Sequence, residues 1–83
     1  MKAKWYVYIL RCSDDSLYTG ITNDLERRID EHNNNNKLAA SYTRSRRPVK
    51  LVYHEKFNDK IKALKRENEI KKMSRKEKTE IIK

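Results

Sequence analysis

One glycine, one proline and one cysteine occur in 83 residues. With Gly20 as the single glycine, no glycine-rich loop can cradle a phosphate chain. Cys12 cannot close an internal disulfide or build a multi-cysteine metal cluster, and two isolated histidines give no zinc-finger spacing. Nor does it sit in a C-x-x-C context, and G-x-S-x-G is absent, so the serine and cysteine nucleophile patterns are missing. Such cysteine usage points to a reducing compartment. No apolar run has transmembrane length, and the N-terminus lacks a long apolar segment followed by small residues, so a cytoplasmic protein with no membrane partner is expected. Hydrophobic residues make up 36% of the chain, enough for one small domain over residues 1–83.

Acidic residues are too few in the second half to balance the basic ones. Residues 1–40 carry six Lys or Arg and six Asp or Glu, whereas residues 41–83 carry fifteen against six. The whole net charge of +9 therefore arises after residue 40. One-sided basicity of this kind suits a polyanion, because lysine and arginine displace counterions condensed on phosphates.

"WYVYIL", residues 5–10, is short, aromatic and β-branched and reads as a buried strand. "SDDS" at 13–16 is a turn signal and "LYTGI" at 17–21 resumes strand character, which makes a hairpin. Gly20 falls where the second strand hands over to a helix, a place that calls for positive φ or a close backbone approach. "NDLERRIDEH" can be capped by Asn23 and predicts a helix over about 24–32. "NNNNK" at 33–37 reads as a flexible polar loop, and "SYTRSRRP" at 41–48 as an arginine-rich connection ahead of a third strand, "VKLVYHEKF". From Asn58 or Asp59 onward strong helix formers predict a helix, and "SRKE" at 74–77 is a capping box for a short terminal one. The expected order is β-β-α-β-α-α.

Both main helices carry polar residues on their apolar sides. The stripe of the first is Leu25, Arg28, Ile29 and His32. In the second, Glu67 shares the side of Ala63, Leu64 and Ile70, while Glu69 points elsewhere, toward lysines. An ionised group in a water-poor setting costs several kcal/mol, roughly, unless it is compensated. Arg28, His32 and Glu67 therefore need partners. An Arg28–Glu67 ion pair or hydration at a rim would suffice; so would a functional site, with Tyr8 and Tyr18 on adjacent strands as proton-transfer groups.

Together "YVY" at 6–8, "YTG" at 18–20, "GITNDLERRIDEH" and "ALKRE" ending at Glu67 resemble the GIY-YIG nuclease domain. More narrowly, "VYIL", "LYTGIT", "DLERR", "SYTR" and "LVY" are similar to the small single-domain bacterial branch. The resemblance covers nearly the whole chain. It implies an α+β fold with a three-stranded antiparallel sheet flanked by helices, and metal-dependent cleavage of a phosphodiester bond. It further implies that either Tyr8 or Tyr18 helps activate water, Arg28 contacts the scissile phosphate, His32 relays or orients a proton, and Glu67 binds a single Mg2+ or Mn2+ ion. The motif's first glycine is Tyr6 here. The expected partner is nucleic acid, DNA rather than RNA, contacted by Arg44, Arg46, Arg47, Lys65, Lys71 and Lys72 with low sequence specificity or with a partner protein supplying the target. A non-catalytic nucleic-acid-binding module on the same fold is the alternative.

Overall fold

The computed structural model describes residues 4–82. Three strands, β1 (Trp5–Arg11), β2 (Leu17–Thr22) and β3 (Lys50–Phe57), form an antiparallel sheet in the order β2-β1-β3. Of the four helices, α1 (Leu25–Asn34) and the short α2 (Ser41–Arg44) lie between β2 and β3 in the chain, and α3 (Lys60–Lys71) and α4 (Arg75–Ile82) follow β3. The expected order holds, with α2 added inside the arginine-rich connection.

β1 is central because it alone is apolar on both faces: Val7, Tyr8, Ile9 and Leu10 are all buried. Alternation sends its residues two ways. Val7 and Ile9 meet Ala63 and Ile70 of α3, with Met73, Ile81 and Ile82 closing the margin. Tyr8 and Leu10 join Cys12, Val49, Tyr18, Leu51 and the α1 residues Leu25 and Ile29. A register shift against β3 between Ile9 and Leu10 bends the ladder near the middle of the sheet. Tyr6, at the position of the motif's glycine, sets its ring edge-on to His54 of β3 at 6.3 Å.

Local chemistry fixes the helix ends. Asp24, not Asn23, caps α1 by accepting from the Arg27 backbone N–H, and Asp59 caps α3 through Lys62 in the same way. At α4 the capping box closes in both directions: Ser74 N–H donates to Glu77, and Glu77 N–H donates to Ser74. Leu64 departs from expectation. It lies about 100° round the helix from Ala63 and is exposed, while Ala63 and Ile70 are buried.

The asparagine run is ordered, contrary to the expected flexible loop. α1 continues through Asn34, and the amides bond to backbone that a less polar loop would leave unpaired. Asn33 grips Val49 twice, accepting from its N–H at 2.8 Å and donating to its carbonyl at 3.1 Å. Asn35 accepts from the N–H groups of Lys37 and Leu38, both at 2.9 Å. No helix among the described residues is long and apolar enough to cross a membrane.

Candidate active site

Sheet register makes the site possible. β2 pairs Gly20 directly opposite Tyr8, so both face α1. A Cβ on Gly20 would stand 2.6 Å from the Tyr8 oxygen and 2.7 Å from Cζ. The glycine is needed for this close approach and not for backbone conformation, since its φ is not positive. The Tyr8 ring crosses the gap and brings its hydroxyl within 2.9 Å of His32 Nε2 on α1.

His32 is fully buried, and its other nitrogen is 2.8 Å from Thr43 Oγ1 on α2. The Thr43 hydroxyl donates to the Ala40 carbonyl at 3.0 Å. With its proton placed there, Thr43 accepts from Nδ1–H, and the bare Nε2 of the neutral ring accepts from the Tyr8 hydroxyl. Arg47 secures the same turn by donating to the His32 carbonyl at 2.6 Å.

Around this chain stand the remaining residues. The Tyr18 ring meets His32 edge-on at 5.4 Å and Tyr8 at 6.5 Å. Arg28 donates through Nη1 to Glu31 at 2.9 Å and to the Leu38 carbonyl at 2.7 Å. Its guanidinium also lies beside the Tyr8 hydroxyl and favours the ionised phenol. Burial dominates nevertheless: together with Tyr18 it pushes Tyr8 up to about 12. Burial, then the Arg28 charge, push His32 down to about 4. At neutral pH the pair is therefore a phenol and an uncharged imidazole.

Glu67 comes from α3, and its charge is the weakest of those felt at Tyr8. Its carboxylate, 13% exposed, pairs with Lys71 at 3.3 Å. The Arg28–Glu67 ion pair does not form, because Glu31, three residues along the same helix, takes Arg28. Glu69 is exposed and meets Arg66 instead of the anticipated lysines.

The basic residues fall into two groups. Arg44, Lys65, Lys71 and Lys72 are exposed. Arg46 is held by Asp14 at 3.1 Å and by the Tyr42 carbonyl at 2.9 Å, and Arg47 is tied to His32 and Asn36. Sequence reasoning missed Thr43, the partner of His32. Its "SYTR" setting reads as a polar connection, and only the α1–α2 approach reveals its burial. Tyr42, in the same stretch, stacks on Tyr18 at 5.9 Å.

A family model described as the GIY-YIG catalytic domain matches residues 4–80. The chain belongs to the GIY-YIG family. It is 54% identical over 79 residues to a UPF0213 protein of Staphylococcus saprophyticus, covering 95% of this chain and 94% of that one. To a UPF0213 protein of Syntrophus aciditrophicus it is 57% identical over 81 residues, with coverages of 98% and 92%. The solution NMR structure of a UPF0213 protein from Bacillus halodurans superposes with a TM-score of 0.61 at 43% identity, covering 95% of this chain and 82% of that one. The GIY-YIG domain is of nuclease type, and nucleic acid is the substrate it implies.

Does the GIY-YIG site suit a divalent cation? Among the described residues there is no group of three or more His, Cys, Asp or Glu that could hold one. A cage of protein ligands is thus excluded there, but a hard ion that keeps its waters needs only one or two carboxylates and a substrate phosphate. Glu67 fits that role: its carboxylate faces Lys71, whose half-exposed side chain can move aside at little cost.

Proposed function

We propose that the protein is a metal-dependent endonuclease that hydrolyses phosphodiester bonds in DNA with low sequence preference. The observation that supports it best is the buried Tyr8–His32–Thr43 chain with Arg28 beside the Tyr8 oxygen. Purely structural packing does not require a phenol, an imidazole and a guanidinium to meet at one point.

Attack on a phosphodiester builds negative charge on its non-bridging oxygens. Arg28, held by Glu31 and the Leu38 carbonyl, presents its remaining N–H groups in fixed positions to that charge. Tyr8 takes a proton from the attacking water as its own passes to His32 Nε2. The water oxygen bonds to phosphorus as the bond to the leaving oxygen breaks, leaving an imidazolium at His32 and an alkoxide that takes a proton from solvent. That imidazolium is disfavoured in the free protein, first by burial and then by the Arg28 charge. An arriving phosphate neutralises Arg28 and so favours proton transfer only when substrate is present. Tyr18 walls the other side of His32. Mg2+ or Mn2+ held by Glu67 would supply positive charge at the leaving oxygen.

Exposed Arg44, Lys65, Lys71 and Lys72 suit phosphate contacts, which orient a strand without reading its sequence. Target choice would then come from nucleic-acid structure or a partner protein. Cytoplasmic location belongs to the same reading, supported by the free, buried Cys12.

A non-catalytic binding module is the second reading, favoured by the Lys71 bridge that occupies Glu67. Supercoiled plasmid, branched DNA and single-stranded DNA incubated with Mg2+ or Mn2+ separate the two. Nicking is expected from the wild type, with loss in chelator, in Glu67→Ala and in Tyr8→Phe. Salt-sensitive binding without product, unchanged by Glu67→Ala, would leave the module.

A further inference from the structure

Beyond the reacting groups, an aromatic column leads from the site to the surface. Tyr42 lies against Tyr18 with ring planes 25° apart and centroids 5.9 Å apart. Arg46 sets its guanidinium over the Tyr42 ring, 4.0 Å from its centroid. Tyr18 in turn touches His32. Tyr42 remains 38% exposed although it is a large aromatic side chain.

The charge of Arg46 is already balanced by Asp14, and its backbone contact to the Tyr42 carbonyl fixes the fork. It is poorly placed to serve as a free phosphate clamp. What it and Tyr42 still offer is flat, pre-oriented π surface, partly open to solvent and one ring beyond Tyr18. Flat cationic and aromatic surface suits a nucleobase. Inside a duplex the neighbouring pairs cover both faces of a base; only an unpaired or splayed-out base can offer one.

We propose that the Tyr42–Arg46 stack is a platform for an unpaired nucleobase adjoining the scissile phosphate, so that the protein favours strands with unpaired bases over intact duplex. The proposal rests on the nuclease reading for the place of the scissile phosphate. Stacking is sequence-tolerant because every base has a π face, in keeping with low sequence preference. DNA and RNA share this chemistry.

The test measures binding of the full chain in chelator, so that cleavage does not intervene. The probes are a short single-stranded DNA, the same sequence as RNA, and the DNA as blunt duplex. Wild type is expected to bind one or both single strands more tightly than the duplex. Tyr42→Ala should weaken single-strand binding about tenfold while duplex binding stays within about twofold. Tyr42→Phe keeps the ring and should bind like wild type. Arg46→Lys keeps the charge but loses the plane and should follow Tyr42→Ala in direction. Equal losses on duplex and single strand, no loss in Tyr42→Ala, or an Arg46→Lys variant indistinguishable from wild type would overturn the platform. The two readings fail separately. Tyr42-dependent selectivity without nicking in metal would remove the nuclease alone, while nicking with no Tyr42-dependent selectivity would remove the platform alone.

Discussion

The two faces of the sheet draw on one strand yet are built differently. Toward α3 and α4, β1 presents Val7 and Ile9 to Ala63 and Ile70, all fully buried and all apolar. Toward α1 and α2 it presents Tyr8, equally buried, and what meets it is His32 and then Thr43. Burial of a hydroxyl or imidazole costs about 1–3 kcal/mol when a hydrogen bond is missing, so the second face is stable only because each member satisfies the next. The apolar face can tolerate changes of shape that keep its volume. In the polar chain, one lost atom leaves its neighbour unpaired. The first face therefore bears mainly on stability and the second on chemistry, and substitutions should separate the two.

The largest separation is expected from Arg28→Ala. Loss of one preorganised charge donor typically lowers a rate by about 100- to 1,000-fold, and plasmid nicking should fall by that much. Its melting temperature should drop by only a few degrees, since Arg28 is partly exposed and Glu31, its partner, lies at the rim. Ile70→Ala should do the reverse. It is expected to lose about 2–5 kcal/mol in chemical denaturation, with nicking per folded molecule unchanged. A stable but inactive Ile70→Ala protein would end the division of labour between the faces.

On the polar face, acid should act through His32. His32 binds protons more weakly in the fold, at about 4, than in the unfolded chain, where 6.5 applies. Between those values the unfolded state holds more protons, so its population grows as pH falls. His32 thus contributes stability in full above pH 6.5 that is lost progressively down to about pH 4, an amount of up to about 3 kcal/mol. His32→Gln cannot titrate, and its stability should change less over this window than that of the wild type. Parallel curves for the two proteins would show that His32 is not held neutral.

Much of this was legible in the sequence, for definite physical reasons. β1 and the hairpin follow from a short aromatic and β-branched run and the "SDDS" turn, and the anomalous placement of Arg28, His32 and Glu67 was visible as broken amphipathicity. Partners were less accessible, because they depend on contacts between distant segments. Glu31, on a polar stretch of α1, gave no sign that it would take Arg28. Thr43 is ordinary in "SYTR" until α2 lies against α1. Low complexity misled at residues 33–37, since the same amides that mark a loop in composition can also bond the loop to itself.

The contrast between the faces is sharpest at Gly20, where one added methyl group would intrude on the polar side. In a strand, Gly→Ala normally stabilises by roughly 0.5–1 kcal/mol, so a destabilising result carries information in its sign. Here the new Cβ would sit 2.6 Å from the Tyr8 oxygen and 2.7 Å from Cζ, and the ring cannot swing aside without breaking its bond to His32. Overpacking of this kind costs about 1–3 kcal/mol, and Gly20→Ala should also slow nicking by displacing the hydroxyl. Tyr8→Phe should not relieve the clash, because Cζ remains; Tyr8→Ala should, making Gly20→Ala neutral or favourable in that background. The double-mutant cycle in unfolding free energy measures the coupling. If Gly20→Ala is equally costly with and without the ring, the glycine serves the backbone, and the close approach that positions Tyr8 has been misassigned.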